Sequence, residues 1–236
     1  MTQLITALDV ETLDEAKRLM ERIGEHCRFY KIGSRLFTTC GPAAIKAVHA
    51  AGAQVFLDLK YHDIPQTVKG AVIEATRHQV ALIDVHALGG ADMMCAAADA
   101  CRRESGRLGI PKPLLIAVTI LTSHDRQALN SMGIMRSVRG SVLHLGKQAL
   151  GAGLDGLVCS AQELKKLRQV LGKDAVLVVP GIRPANSAAG DQKRIATPAE
   201  AASAGADYIV VGRPILDASD PAAAAAVIRE EFCTNP

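Results

Sequence analysis

Leu8-Asp9-Val10-Glu11-Thr12 closes the first apolar run of the chain, residues 4–8, and passes into a helical segment without a single glycine. A doubly wound nucleotide-binding sheet needs glycines at this turn, where the backbone bends tightly and approaches a pyrophosphate. The turn therefore counts against that sheet and in favour of its rival, a closed barrel. Just beyond it, Thr12 and Glu15 have the spacing of a capping box, and Leu13, Ala16, Leu19, Met20 and Ile23 fall on one helical face. The same strand-then-helix rhythm continues outward. Short apolar runs at 28–32, 54–59, 81–85, 114–120, 156–159, 175–179 and 208–211 bring the predicted strands to eight. Ser160 with Glu163 repeats the capping box ahead of Leu164, Leu167 and Leu171. Thr197 with Glu200 repeats it again, with Pro198 at the first helical position, where its missing N–H matters least. The alanine run 222–226 belongs to a closing helix. Eight strand–helix units in 236 residues fit an α/β fold of the (β/α)₈ type, a TIM barrel of eight parallel strands with outer helices, typically about 250 residues long. One catalytic domain is expected over 1–236.

Composition narrows the function without naming it. There are 27 Lys+Arg against 24 Asp+Glu, a formal charge of +3, so no polybasic surface for nucleic acid or membrane is expected. Aromatics make up 3% of the chain and Trp is absent, which argues against a base-stacking platform. The cysteines at 27, 40, 95, 101, 159 and 233 form no C-x-x-C pair and read as reduced, mostly buried thiols. The 4–8 run is short, follows no basic leader and reads as a core strand rather than a signal peptide. No stretch reaches the roughly 18–20 apolar residues of a membrane span. The expected location is the cytoplasm.

In a barrel the chemistry collects at the carboxyl ends of the strands. Those ends carry Asp9, Lys31, Asp58 with Lys60, His86, Thr119 with Thr122, Arg183 and Arg213. In Phe56-Leu57-Asp58-Leu59-Lys60, alternation puts Phe56, Asp58 and Lys60 on one face and the leucines on the other. Asp63 completes a D-x-K-x-x-D cluster, to which Asp9 and Lys31 add from neighbouring strands. Such a cluster could be an ion-pair plug, but buried ion pairs are often no better for stability than apolar packing, so several at the catalytic face point to a site. After the seventh and eighth strands, Pro180-Gly181-Ile182-Arg183-Pro184 and Val211-Gly212-Arg213-Pro214 each join a permissive glycine to a guanidinium, a pairing suited to phosphate. The segment 184–196, with its Gly190-Asp191-Gln192 turn, is a candidate lid over that phosphate. The histidines lack zinc-ligand spacing, and there is no G-x-S-x-G elbow or Walker loop. His62 and His86 flank the cluster as orienting or packing groups, and Cys40 and Cys159 are treated as inert.

Several runs together resemble the orotidine 5′-phosphate decarboxylase family: Ala7-Leu8-Asp9, Lys31-Ile32-Gly33, Asp58-Leu59-Lys60-Tyr61-His62-Asp63-Ile64-Pro65-Gln66-Thr67, Pro180-Gly181-Ile182-Arg183, Gly190-Asp191-Gln192 and Val211-Gly212-Arg213. The bare D-x-K-x-x-D core is shared with relatives such as hexulose-phosphate synthase. The resemblance implies conversion of orotidine 5′-phosphate (OMP) to uridine 5′-phosphate (UMP) and carbon dioxide in pyrimidine biosynthesis, with no cofactor and no metal. It implies that Asp9 and Lys31 hold ribose hydroxyls, that Thr122 contacts the pyrimidine, and that Arg183, Gln192, Gly212 and Arg213 hold the phosphate. Lys60 would protonate C6 with Asp58 beside it. The whole block from Asp58 to Thr67 would serve binding, with Asp63 and Thr67 reaching into the partner's site across a homodimer. Three other readings remain open at this point: a sugar-phosphate aldolase or lyase using a divalent metal, a Schiff-base enzyme with Lys60 as nucleophile, and a non-catalytic nucleotide sensor.

Overall fold

In the computed structural model, which describes residues 2–184 and 196–233, parallel pairing links each strand to the next and the last back to the first. The strands are β1 (Gln3–Ala7), β2 (Phe29–Gly33), β3 (Gln54–Tyr61), β4 (Leu82–His86), β5 (Leu114–Val118), β6 (Gly156–Val158), β7 (Val176–Val179) and β8 (Tyr208–Val211). Closure is made by Gln3 opposite Tyr208 through Thr6 opposite Val211. The expected TIM barrel of the α/β class is present, with each of its eight strands near the expected place. Around it run α1 (Leu13–Ile23), α2 (Ser34–Cys40), α3 (Pro42–Ala50), α4 (Pro65–Arg77), α5 (Gly90–Leu108), α6 (Arg126–Ser131), α7 (Val138–Gly151), α8 (Leu164–Leu171), α9 (Pro198–Ser203), α10 (Arg213–Leu216) and α11 (Pro221–Cys233).

All three capping boxes form. Thr12 caps α1 and Thr197 caps α9, each accepting from the N–H of its glutamate partner three residues on, which reaches back to the cap N–H. Ser160 and Glu163 close the same way on the short turn leading into α8. Two strand ends differ from expectation by two residues, the others by at most one. β5 stops at Val118, whose pairing with Val158 is closed by the Thr119 N–H, and the Thr119 hydroxyl donates to the same Val158 carbonyl. β3 runs on to Tyr61 through an irregularity: Leu57 pairs with Ile83, but the next paired residue is Tyr61, opposite Val85.

Alternation along the strands divides the core into two shells. Inside the barrel, Ile5, Phe29, Phe56, Leu82, Ile116, Val178 and Val210 pack together with Ala7. The outward residues, among them Tyr30, Leu57, Ile83, Leu115, Leu157, Leu177 and Ile209, join the helices in a much larger shell. Phe29 and Tyr208, at the amino ends of β2 and β8, meet edge to face with centroids 5.7 Å apart and help fill the barrel interior at that end.

Gly156 shows how tightly β6 is held. A Cβ there would lie 1.9 Å from the Val176 carbonyl oxygen, a backbone atom that cannot yield without breaking the β6–β7 pairing. Gly156→Ala is expected to destabilise the fold by about 3 kcal/mol, seen as a lower denaturant midpoint.

Candidate active site

A cavity of about 620 Å³ opens at the carboxyl ends of the strands, within the size range of small-molecule sites. Its two halves differ in character. Asp9, Lys31, Asp58, Lys60 and Asp84 line one side from β1–β4 and their ends, while Val118, Val158, Val178 and Val210 line the other from β5–β8. One half can place charge at a reacting centre while the other excludes water from it.

The charged half is an alternating chain. Lys31 Nζ lies 3.1 Å from Asp9 Oδ1 and 3.1 Å from Asp58 Oδ2, and Lys60 Nζ pairs with Asp58 Oδ1. The Asp58 side chain is only 11% exposed. Burial alone would raise its pKa, but the Lys31 ammonium, a hydrogen bond from Asp84 and the Lys60 ammonium outweigh it and hold Asp58 below the ordinary carboxylate range. Burial pulls the Lys31 pKa down; the facing Asp58 and Asp9 more than reverse this, so Lys31 stays charged. Gly33 leaves room for the chain, since a Cβ at that position would stand 3.0 Å from Lys31 Nζ and 3.3 Å from Asp9 Oδ1.

Lys60 does not reach the cavity by simple alternation. Its φ is 50°, in the left-handed region that non-glycine residues rarely occupy. Its position falls in the irregular stretch of β3, where the turn re-aims the side chain over Asp58. Its N–H donates to Asp84 Oδ1 at 2.8 Å. Asp84 is fully buried and was not among the residues expected from the sequence. Its signal lay in Leu82-Ile83-Asp84-Val85-His86, where alternation turns a carboxyl inward in the middle of an apolar strand. Arg35, Ser123 and Asp217 also line the cavity without having been expected there.

On the phosphate side, Gly181 has φ 76°, which suits glycine, whereas Gly212 has a negative φ of −112°. A Cβ at Gly212 would make only ordinary contacts, 3.6 Å from Ala7 Cβ and 3.7 Å from Asp9 Oδ2. The glycine at 212 leaves that part of the cavity wall clear of a side chain. Arg183 is buried, with Nη1 donating to the Ile182 carbonyl at 2.8 Å, and its N–H donates to Ala196 O at 2.9 Å beside the Ile182–Ala196 bridge. Thr122, Arg183, Gly212 and Arg213 all line the cavity. Gln192 and the Gly190-Asp191-Gln192 turn lie outside the described residues.

Leu59, Tyr61, His62, Asp63, Ile64, Pro65, Gln66 and Thr67 are not in the wall of this cavity. Asp63 is exposed, with Oδ1 accepting the Ile64 N–H at 2.6 Å, and Ile64 is 67% exposed. Cys159 is buried in the cavity wall; Cys27 and Cys101 are buried elsewhere, and burial pushes the thiols of these two up. Among the described residues, no group of three or more His, Cys, Asp or Glu is placed to hold a metal ion, and no helix is long and apolar enough to cross a membrane.

His62 and His86 stack with ring centroids 5.3 Å apart, and His86 Nδ1 accepts the Leu88 N–H at 3.3 Å. Burial first, then the neighbouring His62 and Lys60, lower the His86 pKa from 6.5 to about 4. A histidine depressed in the fold stabilises it fully above the unfolded pKa and loses that contribution as pH falls through the folded one. Thermal melts of the wild type should therefore fall between pH 6.5 and about 4, and His86→Gln should flatten part of that slope.

Comparison with known proteins places this architecture. The profile of the Orotidine 5′-phosphate decarboxylase / HUMPS family matches residues 2–228. An orotidine 5′-phosphate decarboxylase of Moorella thermoacetica is 47% identical over 231 residues, covering 98% of this chain and 92% of that protein. One from Pelobacter propionicus is 47% identical over 230 residues, covering 98% and 95%. The crystal structure of the Lactobacillus acidophilus orotidine 5′-phosphate decarboxylase superposes with a TM-score of 0.87 at 38% identity, covering 98% of this chain and 99% of that one. With the alternating charges at one end of a closed parallel barrel and a match that runs almost from end to end, the chain belongs to the orotidine 5′-phosphate decarboxylase / HUMPS family.

Proposed function

We propose that this chain is a carboxy-lyase of pyrimidine biosynthesis, a single barrel domain that converts OMP to UMP and carbon dioxide without a cofactor, with Lys60 as proton donor. The carrying observation is the Lys31–Asp58–Lys60 array at the end of β3, beside an apolar wall. The near full-length likeness to named decarboxylases supports the same activity.

The chemistry explains the array. When the C6–carboxylate bond breaks, its electron pair stays in an in-plane orbital at C6 that the ring does not readily delocalise. An ammonium held at that carbon stabilises the developing charge as it forms. Lys60 then gives one proton to C6, the new C–H bond completes UMP, and the neutral amine recovers its proton from solvent. Asp58 and Lys31 hold Lys60 in register, so little reorganisation is needed as charge develops. In this reading Asp9 and Lys31 hold the ribose hydroxyls and Thr122 contacts the pyrimidine. Arg183, Gln192, Gly212 and Arg213 form the phosphate end in this reading. Asp63 and Thr67, outside the cavity wall of their own chain, serve the partner's site in a homodimer, and the exposed Ile64 between them suits an interface. The enzyme works in the cytoplasm.

Enzymes lower barriers by about 8–23 kcal/mol, more than one lysine supplies. Binding energy from the distant phosphate has to be spent at C6. With OMP as substrate and EDTA present, orotate absorbance should disappear at the rate seen without chelator, and Lys60→Ala should lower kcat by about 10⁴-fold or more while still binding UMP. Turnover that survives in Lys60→Ala, or borohydride trapping of substrate on Lys60, would overturn the assignment. Arg213→Ala should lower kcat and raise KM, each by about tenfold; a change confined to KM would show that phosphate binding is not coupled to C6.

A further inference from the structure

We propose that Asp84 is a positioning residue of this reaction: a buried carboxyl that works as the neutral acid, accepting the Lys60 N–H on one oxygen and donating from the other to the Asp58 carboxylate. The inference rests on the assignment of Lys60 as proton donor and adds a residue that acts through it.

Asp84 lies in the middle of β4 with its side chain turned into the cavity, and none of its surface is exposed. Oδ1 takes the Lys60 N–H at 2.8 Å, while Oδ2 is buried and no donor points at it. An ionised carboxylate in that position would leave a charged oxygen without a partner, which is costly in a dry site. A protonated Oδ2 is itself a donor, and the Asp58 carboxyl beside it is the acceptor. The ionisable groups facing Asp84 are Asp58, Lys60 and Tyr61 of β3; from β5 it meets Ile116, its apolar register partner. Burial, and then the negative charge of Asp58, raise the Asp84 pKa well above the ordinary carboxylate value, and Lys60 only partly offsets them. Two carboxyls sharing one site divide in this way, one ionised and one neutral.

The consequence for the reaction is geometric. Lys60 holds a left-handed φ of 50°, and the main-chain bond to Asp84 ties that residue to β4. Nζ is thereby aimed from a backbone position that β3 alone does not impose. The proton on Asp84 also keeps a second negative charge away from the place where the substrate brings its own carboxylate.

An asparagine presents the same pair of groups, a carbonyl to the Lys60 N–H and an amide N–H to Asp58, whereas valine presents neither. Asp84→Val is expected to lower kcat by about 10²-fold, leave UMP affinity within about threefold, and move the acid limb of the kcat profile upward as Asp58 loses a donor. Asp84→Asn is expected to rescue kcat to within about threefold of wild type with the acid limb restored. A second readout does not depend on catalysis. A carboxyl whose pKa is raised in the fold stabilises it fully below the unfolded value of about 3.9 and loses that contribution as pH rises toward the folded value. Asparagine has no such titration, so the Tm of Asp84→Asn should gain on wild type as pH rises above about 4. Failure of asparagine to rescue, an undiminished kcat in Asp84→Val, or a Tm difference flat with pH would each overturn the proposal. If Asp84→Val does not fold, Asp84→Ala, which likewise presents neither group, takes its place in the same comparison. Lys60→Ala run alongside separates the two assignments: turnover surviving there removes the proton-donor role itself, while an inactive Lys60→Ala beside an unrescued Asp84→Asn removes only the role of Asp84.

Discussion

The buried contact between Lys31 and Asp58 is the constraint on which the site depends. Placed alone in a barrel interior, either charge would be expelled or neutralised. Together, at 3.1 Å, they stay ionised with Asp9 on one flank and Lys60 on the other. Removing one member of such a pair typically costs about 3–5 kcal/mol, because the partner is left buried and uncompensated. Gly33 is small because a side chain there would press on Lys31 Nζ, and β3 departs from regular pairing just beyond Asp58. Backbone and packing around the array thus conform to the charges rather than the reverse.

Much of the fold was legible because barrel formation depends on local signals that repeat. The three capping boxes formed where Thr12, Ser160 and Thr197 announced them, and the apolar runs became strands within a residue or two. The ends that shift furthest carry local features, such as the Thr119 hydroxyl on the Val158 carbonyl and the register irregularity of β3, that strand periodicity does not show. Lys31, Asp58, Thr122, Arg183 and Arg213 could be read as cavity residues because strand ends in this fold converge on one face.

Other parts of the site were hidden in ways that follow from the same physics. Alternation correctly assigned Lys60 to the cavity but for an incomplete reason, since a left-handed residue in an irregular strand turns it inward. Asp84 sits one turn of the pleat below the end of its strand, where burial and not exposure gives it its character, so a strand-end pattern does not include it. Gly212 is expected from the sequence as a permissive glycine beside a guanidinium, and in the fold it lines the cavity with room for a Cβ at ordinary contact distance. The block from Asp58 to Thr67 is the most distinctive stretch of sequence, but of its ten residues only Asp58 and Lys60 reach the cavity wall of their own chain.

The two-shell core has a consequence for how such a protein can change over time. Outward strand residues such as Leu57, Ile83 and Leu177 belong to the packing that holds the helices, whereas the inward residues above Phe56 and Leu82 hold the chemistry. Because side chains alternate, neighbouring codons in one strand answer to different demands. Substitutions at the upper inward positions can explore new reactions while the outer shell keeps the barrel closed, and drift in the outer shell can tune thermal tolerance while the reaction is preserved. The pleat of the strand separates the evolution of catalysis from the evolution of stability, residue by residue.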